Sequence, residues 1–503
     1  MPDNAKIINQ KSNFLSFLKT RSSDYWKKAG EKEMLKLFHA ASKRIPAYKD
    51  FLRKNKVEPE KIKTIDDFLL VPPINKSNYL NIYPCEKLTW DGDIRKPITI
   101  HSTSGSTGEP VYFQREAKFD LRREIFIENF FRYNKLTTTG PTLFIITFGM
   151  GVWSAGMGIY TASYLATNMN KFPISIISPG VNKIEVLKIL RKLASHFKQV
   201  ILAGYPPFIK DIIDDAVQEG IDIKKLNLRF IFTGETFPEE FRDYISNKAQ
   251  SKNIFIDTMN TYGTSELGSI AVETPLTILT RKFLNKSIFK DLFGDAVITP
   301  TLSQYIPSFV NFECINGELF FTGDSTIPLV RYQSGDNGGI LSFKQLEDLL
   351  ASHHIDLNKE FKKLNISEFL YKLPLVFVYE RKNLATTLYG ILIYPDFIKT
   401  ALLDKQLVKF LTGKFTIIKK YDRNQNQYLE INLELRKGEK TKKYYERMVL
   451  KKIIETLRNR SSEFRELSDN LQSRVYPKLV FWPYEEPKYF LPGTKQKWVI
   501  KNI

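Results

Sequence analysis

Cysteine is nearly absent from this sequence of 503 residues, which contains only Cys85 and Cys314, far apart in the chain. Two distant cysteines exclude a disulfide framework and a cysteine-rich zinc module, and they are typical of a reducing compartment. We therefore expect a cytoplasmic protein. Its length allows at least two domains with cores that need no covalent cross-links.

Long uncharged segments can indicate a membrane protein, and this sequence contains one such segment. Residues 140–170, GPTLFIITFGMGVWSAGMGIYTASYLATNMN, carry no charged side chain and are long enough to cross a bilayer. Four glycines interrupt the segment, and it begins with the β-rich run TLFIITF. We interpret it as a buried strand, a glycine-rich turn and a helix, and we expect no membrane span. The N-terminus lacks the apolar core of a signal peptide.

The charge balance is basic, with 75 Lys and Arg against 55 Asp and Glu, a formal net charge of +20. Such an excess can indicate nucleic-acid binding. The lysines are scattered among acidic residues, however, and no stripe of basic and aromatic residues is present for stacking bases. We expect no specific nucleic-acid partner, and a basic nucleic-acid binder is kept as an alternative. The five histidines lack partners at metal-ligand spacing, so we interpret them as structural.

Strand-like and helix-like segments alternate between residues 142 and 266. The apolar runs TLFIITF, FPISII, QVILAG, LRFIFT and IFIDTMN are separated by amphipathic helical patterns. This alternation predicts an α/β fold with a parallel sheet covered on both faces. Ligands bind beyond the carboxyl ends of such strands, so the polar loops AGYPP, TGET and YGTSE should converge on one crevice. Shorter β-type segments follow from residue 300, and a charged helix is predicted around Lys442–Arg458.

The segment HSTSGSTGEPVYF, residues 101–113, is rich in hydroxyls and glycines and runs into an apolar strand. Such a loop can be an anion cradle or an ordinary surface turn. It is neither a Walker A motif nor a dinucleotide fingerprint. It resembles the phosphate-binding loop [ST]-S-G-[ST]-T-G-x-P of the adenylate-forming enzymes, matched by Thr103, Ser104, Gly105, Ser106, Thr107, Gly108 and Pro110. Glu109 stands where that family usually has lysine.

Four later segments resemble further motifs of the same family, in the same order. TYGTSE (Thr261–Glu266) is similar to Y-G-x-[ST]-E, and PLVRYQSGD (Pro328–Asp336) to R-Y-R-T-G-D. YERKN…YGILIYP (Tyr379–Pro395) is similar to the segment where the family's two domains join, and GTKQKWVI (Gly493–Ile500) to its terminal lysine motif. The Arg-Tyr pair is characteristic of the phenylacetate-CoA ligase-like branch, which includes capsule-biosynthesis ligase-like proteins.

The resemblance implies a large N-terminal ATP- and acyl-binding domain, residues 1–380, and a smaller mobile α+β domain, residues 381–503. It implies ATP and Mg²⁺ as cofactors and a small carboxylic acid as substrate. The acid would be activated to an acyl-adenylate and passed to CoA, to the phosphopantetheine of an acyl or peptidyl carrier protein, or to another acceptor. A non-catalytic scaffold with the same fold is the alternative, supported by Glu380, Asn383 and Thr494 at altered positions in the C-terminal motifs.

The resemblance also implies roles for individual residues. The loop Thr103–Gly108 would hold the β and γ phosphates, and Glu266 would ligate Mg²⁺. Asp336 and Arg381 would contact the ribose. Lys495, with Lys497 as the alternative, would bridge the carboxylate and the α-phosphate. The adenine side would be formed by Gly234, Glu235, Thr236, Tyr262, Gly263 and Thr264.

Several of these residues also have ordinary structural interpretations. Glu266 could cap a turn, and Asp336 could be a turn aspartate. Trp153, Tyr205 and Phe237 could line an acyl pocket or belong to the core, and we assign them to the core.

Overall fold

The computed structural model describes residues 11–95, 99–102, 112–294, 296, 299–379, 386–490 and 498–500. The short hairpin β1 (Thr99–Ser102) and β2 (Tyr112–Arg115) flanks the hydroxyl-rich loop. None of the helices in the described part of the chain is long and apolar enough to cross a membrane.

Eleven strands form one large mixed sheet within the described residues. In chain order they are β3 (Thr142–Thr147), β4 (Ile174–Ile177), β5 (Gln199–Gly204), β6 (Arg229–Thr233), β7 (Thr258–Thr264), β8 (Gly268–Val272), β9 (Thr301–Gln304), β10 (Val310–Ile315), β11 (Glu318–Gly323), β12 (Leu329–Leu341) and β13 (Leu375–Tyr379). Their spatial order is β10-β11-β12-β13-β9-β8-β7-β6-β5-β3-β4.

The strands β4, β3, β5, β6 and β7 pair in parallel, as predicted from the alternation of strands and helices. Their side chains are buried on both faces because helices cover each side. Val200 and Leu202 of β5 pack into one hydrophobic cluster, whereas Ile201 and Ala203 pack into the other. The remaining strands pair antiparallel, so the sheet is mixed rather than purely parallel.

Sixteen α-helices belong to the described part of the chain up to residue 379. They are α1 (Lys11–Thr20), α2 (Ser23–Arg44), α3 (Pro46–Lys54), α4 (Ile65–Leu69), α5 (Cys85–Leu88), α6 (Ala117–Arg132), α7 (Lys135–Thr139), α8 (Ser154–Asn170), α9 (Lys183–Lys192), α10 (Pro206–Gln218), α11 (Glu239–Ala249), α12 (Ile254–Asp257), α13 (Pro275–Lys282), α14 (Lys286–Phe293), α15 (Phe343–Ser352) and α16 (Leu357–Lys363). A π-helix spans Lys76–Leu80, and short 3₁₀ turns span Pro59–Lys61, Trp90–Gly92, Ala194–His196, Ile223–Leu226 and Ser367–Phe369.

Residues 386–490 and 498–500 form a small α+β unit beside the large sheet. A two-stranded ribbon, β14 (Thr386–Leu388) and β15 (Ile391–Ile393), leads into a four-stranded sheet of β16 (Leu411–Tyr421), β17 (Gln427–Leu435), β18 (Lys478–Trp482) and β19 (Val499–Ile500). Its helices are α17 (Pro395–Leu402), α18 (Lys443–Arg460) and α19 (Ser462–Leu471), with 3₁₀ turns at Leu407–Lys409 and Gln472–Val475. The charged helix predicted around Lys442–Arg458 is thus confirmed as α18.

Two details of the predicted element pattern are wrong. The run IFIDTMN begins with one helical turn, α12, capped by the Asn253 side chain, and the strand starts only at Thr258. The residues Tyr262–Thr264, predicted as a loop, continue strand β7 because β8 folds back and pairs with them. The interpretation of residues 140–170 as strand, turn and helix is confirmed by β3 and α8.

Candidate active site

A cavity of about 330 Å³ lies at the carboxyl ends of β6 and β7. The segments expected to converge there do so: Tyr205 after β5, Gly234–Thr236 after β6, and Tyr262–Thr264 with Glu266 at the end of β7 all line it. Asp336 of β12 reaches the same cavity from the antiparallel half of the sheet. The fold therefore assembles one site from segments that are distant in sequence.

Tyr262 and Asp336 form a direct pair in the cavity wall. The Tyr262 hydroxyl donates to Asp336 Oδ2 at 2.7 Å. The Asp336 carboxylate is 9% exposed, and its own backbone N–H donates to Ser334 Oγ at 3.1 Å. Gly335, with φ +76°, lies at the irregularity in the pairing of β12 with β11 and immediately precedes Asp336. The Tyr262 hydroxyl thus fixes the orientation of the Asp336 carboxylate. A carboxylate in this position can accept hydrogen bonds from the hydroxyl groups of a ligand.

Glu266 is a buried carboxylate at the hairpin between β7 and β8. It is 7% exposed, accepts a hydrogen bond from the Tyr332 hydroxyl at 3.1 Å, and lies 3.4 Å from Lys76 Nζ. A single protein carboxylate supplemented by phosphate oxygens and water is a common donor set for Mg²⁺. Glu266 therefore fits that ion.

Glu235 faces the small unit as well as the cavity. Its carboxylate accepts hydrogen bonds from the backbone N–H of Gly390 and from the Gln427 side chain, and its carbonyl accepts from Asn260 Nδ2 at 3.1 Å. Thr236 Oγ1 donates to the Thr299 carbonyl at 3.4 Å. Glu235 thus joins the large sheet to the small unit, a contact that the sequence did not indicate.

Other predicted site residues lie outside the described part of the chain: Thr103, Ser104, Gly105, Ser106, Thr107, Gly108, Arg381, Lys495 and the alternative Lys497. Described residues adjoining two of these segments line the cavity. They are Ser102, at the end of β1, and Tyr379, at the end of β13. The Ser102 N–H donates to the Val152 carbonyl at 2.8 Å, which attaches β1 to the glycine-rich turn before α8.

Arg123 of α6 lines the cavity and was not singled out from the sequence. It lies across Gly158 and Gly268, where an added Cβ would come within 2.1 Å and 1.6 Å of its guanidinium. In the sequence, only these two glycines could have indicated that a large side chain passes close to the backbone at Gly158 and Gly268. Burial, and then the charges of Arg115 and Arg123, lower the pKa of nearby His101 to about 4, so that histidine is neutral at pH 7.

The assignment of Trp153, Tyr205 and Phe237 to the core is confirmed for Phe237 and in part for Tyr205, which packs against both large hydrophobic clusters and also lines the cavity. Phe237 is 3% exposed and packs against Phe232 and Phe241. The assignment is wrong for Trp153, which lines the cavity together with Ala155 and Ile159 of the first turns of α8.

Sequence comparison finds a distant curated relative, although no protein-family model matches the chain. A phenylacetate-coenzyme A ligase of Thermus thermophilus is 23% identical over 310 residues, 61% of this chain. The match covers 64% of that ligase, less than two thirds of its length.

Structure comparison covers nearly the whole chain. A 2-hydroxyisobutyryl-CoA ligase, solved with 2-HIB-AMP and CoA in its thioesterification state, aligns with TM-score 0.61 and 15% identity over 96% of this chain and 91% of its own. The same ligase in a postadenylation state aligns with TM-score 0.52 and 15% identity over 97% of this chain and 92% of its own. The chain thus shares the fold of this CoA ligase. The predicted α/β fold is confirmed, and so is the resemblance to phenylacetate-CoA ligase.

The small unit packs against the large one through polar and apolar contacts. Asp211, 4% exposed, accepts from Arg474 Nη2 at 2.6 Å and from the Tyr389 hydroxyl at 2.6 Å. Lys210 Nζ donates to Asn426 Oδ1 at 2.7 Å. A hydrophobic cluster continues from α10 into the small sheet. The cavity is consequently closed on one side by small-unit residues.

Proposed function

We propose that the protein uses ATP and Mg²⁺ to convert a carboxylic acid into an acyl-adenylate and pyrophosphate. It then passes the acyl group to a thiol, either of CoA or of a carrier protein's phosphopantetheine. The observation that carries the proposal is a single cavity lined by Glu266, the Tyr262–Asp336 pair and Gly234–Thr236. The 2-hydroxyisobutyryl-CoA ligase named above, which has the same fold, was solved with an acyl-adenylate and CoA.

At the nucleotide end, Asp336 would accept hydrogen bonds from the ribose hydroxyls. Tyr262 donates to one of its oxygens and so orients the carboxylate toward the cavity. Hydrogen bonds to a charged group contribute about 1.5–3 kcal/mol each. Gly234 has φ +88°, and the glycine keeps the backbone close to Tyr205, whose ring carbons would be 3.0 Å from a Cβ at that position. The adenine side would be formed by Gly234–Thr236 and Tyr262–Thr264.

At the phosphate end, the loop Thr103–Gly108 would hold the β and γ phosphates, and Glu266 would hold the metal. Bound Mg²⁺ supplies charge neutralisation for the phosphate oxygens. Lys76, 3.4 Å from Glu266, adds a positive charge at this end of the cavity. The chain's own contribution is positioning and fixed electrostatic stabilisation.

The chemistry then follows in two steps. A carboxylate oxygen of the acid attacks the α-phosphorus of ATP and pyrophosphate leaves, with Lys495 bridging the two reacting groups. The thiol afterwards attacks the acyl carbonyl and AMP leaves. Closure by the small unit keeps water away from the mixed anhydride, which would otherwise be hydrolysed.

The test is ATP–pyrophosphate exchange with a pooled panel of aryl, fatty, hydroxy and amino acids, followed by each acid alone. We expect exchange with at least one acid, dependent on Mg²⁺. Lys495→Ala should reduce this exchange by 10²-fold or more, while Lys497→Ala, its matched neighbour, should retain it. Absence of exchange with every acid, together with no measurable ATP binding, would overturn the proposal in favour of a scaffold with the same fold.

A further inference from the structure

The small unit contributes one ionisable side chain to the described lining of the cavity. Four residues of that unit line the cavity: Thr387, Gly390, Leu392 and Glu463. Of these four, Glu463 alone has a side chain that ionises. None of the motifs recognised in the sequence includes Glu463.

Helix α19 holds Glu463 rigidly in place. Ser461 caps the helix by accepting a hydrogen bond from the Phe464 N–H at 3.1 Å. Phe464 and Leu467 are buried in the hydrophobic cluster of the small unit, which fixes the rotation of the helix. Glu466 lies three residues after Glu463, so the two carboxylates are neighbours on one face of the helix.

Glu463 and Tyr205 line the same cavity. The Tyr205 ring lies against Gly390 of the small unit, where an added Cβ would be 2.1 Å from the ring, and it meets Phe148 edge-on at 5.1 Å. Burial, followed by the charges of Glu463, Glu466 and Glu235, raises the pKa of the Tyr205 phenol. Glu463 is therefore at the junction of the two units.

Burial, together with the like charge of Glu466, raises the pKa of Glu463 to about 7. Burial also raises the pKa of Glu466. Glu235, whose charge also acts on the Tyr205 phenol, accepts hydrogen bonds from Gly390 and Gln427. A carboxylate whose pKa lies near the working pH is suited to proton transfer, because it is both available as a base and basic enough to accept a proton.

Resting on the proposed function, we propose that Glu463 is the general base of the acyl-transfer step and accepts the proton of the incoming thiol. The thiol sulfur forms a bond to the carbonyl carbon of the acyl-adenylate. The bond from that carbon to the phosphate oxygen breaks, and its electron pair leaves with AMP. The thiol proton moves to a carboxylate oxygen of Glu463. Glu466 is a positioning residue that acts through its charge on Glu463.

The two half-reactions separate this proposal from the proposed function. With the acid selected by exchange and CoA or pantetheine as the thiol, Glu463→Gln should lower thioester formation by about 10²-fold or more. ATP–pyrophosphate exchange should fall at most threefold. Glu446→Gln, an exposed glutamate on α18 of the same unit, is the matched control and should change neither rate.

The pH profile gives a second readout. Thioester formation by the native enzyme should rise with pH to a plateau above about pH 7, as Glu463 loses its proton. Glu466→Gln removes the neighbouring charge, so the rise should move to lower pH. In Glu463→Gln this rise should disappear.

Stability supplies a readout independent of activity. A raised folded-state pKa means that folding is favoured below the unfolded value of 4.5 and progressively less favoured as pH rises through about 7. Glu463→Gln should therefore have a higher Tm than the native protein at pH 8, and the difference should shrink toward pH 5.

Two outcomes overturn the role of Glu463 while leaving the proposed function intact. One is thioester formation at the native rate by Glu463→Gln. The other is an equal loss of exchange and thioester formation in that variant, which would indicate a structural role. Failure of the native enzyme to exchange pyrophosphate, or to use either thiol, would instead refute the proposed function. Glu463 would then have no thiol from which to accept a proton.

Discussion

Tyr262 and Asp336 are the residues whose contact best defines the candidate nucleotide site. They are 74 residues apart in the chain, yet the phenol donates directly to the carboxylate in the cavity wall. Each residue alone has an ordinary structural interpretation, as a strand tyrosine or a turn aspartate. Their contact inside a cavity that also contains Glu266 is what favours a ribose-binding role.

Asp336→Ala should weaken ATP binding, because a carboxylate that accepts ribose hydroxyls would be lost. We expect kcat/KM for ATP to fall by about 10- to 100-fold, the equivalent of one or two hydrogen bonds to a charged group. Tyr262→Phe keeps the ring and loses only the orienting hydroxyl, so its effect should be smaller. Steady-state ATP–pyrophosphate exchange at varied ATP concentration measures kcat/KM for ATP in both variants. An unchanged KM for ATP in Asp336→Ala would contradict the ribose assignment.

A buried charge cluster connects α11, α13 and the segment after β8. Glu273, 1% exposed, accepts from Arg242 Nη2 at 2.8 Å, from Arg281 Nη1 at 2.8 Å and from the Asn260 N–H at 2.8 Å. Asn260 belongs to β7, the strand that carries Tyr262. The cluster therefore braces the strand that positions the cavity, and it reaches the cavity wall at Asn260.

Glu273→Ala should destabilise the fold, because the buried guanidinium groups of Arg242 and Arg281 would lose one of their two carboxylate partners and keep only Glu239. Removal of one partner from a buried ion pair costs about 3–5 kcal/mol in the free energy of unfolding. Urea unfolding followed by circular dichroism measures the change. Asp348→Ala, which removes an exposed partner of Lys344, is the control and should leave the unfolding midpoint unchanged. Equal midpoints for both variants would show that the cluster does not stabilise β7.

At the scale of the whole molecule, two glycines and one tyrosine set the fit between the units. Gly234 of the large unit and Gly390 of the small unit both lie against the Tyr205 ring. Hydrogen bonds from Gly390 and Gln427 to Glu235, and from Arg474 and Tyr389 to Asp211, surround this contact. The close approach closes the cavity on the side where Glu463 lies.

Gly390→Ala should disturb the docking of the small unit. Its Cβ would be 2.1 Å from the Tyr205 ring, at a φ of +77°. Gly413→Ala is a matched control, since its φ is +88° and no atom lies within 4 Å of the added Cβ. We expect Gly390→Ala to show faster proteolysis between the units and a larger radius of gyration by small-angle scattering. Identical behaviour of the two variants would show that this contact does not hold the units together.

The sequence by itself predicted most of the secondary-structure elements and the resemblance to adenylate-forming enzymes. Local patterns were sufficient for this, because apolar runs alternating with amphipathic periods specify strands and helices. The loops after β5 and β6 and the segment that carries Glu266 could be placed at one crevice because parallel strands end at a common edge. Asp336, on the antiparallel strand β12, was assigned to the site only from the motif resemblance. The predicted roles of Thr103–Gly108, Arg381 and Lys495 stay predictions, since these residues lie outside the described part of the chain, as does the exact boundary between the domains.

Tertiary structure decided what depends on packing between distant segments. The antiparallel return of β8 made Tyr262–Thr264 part of a strand. The first residues of α8 line the cavity, which places Trp153, the residue before the helix, in the cavity wall. Arg123, Lys76 and Glu463 carry no motif, so nothing in their neighbouring residues indicated a site. They reach the cavity because of how the elements that carry them pack against the rest of the protein. The environment of Glu463 depends on its burial where the small unit packs against the large one. Local sequence fixes conformation, whereas burial and charge environment arise only when the elements pack together.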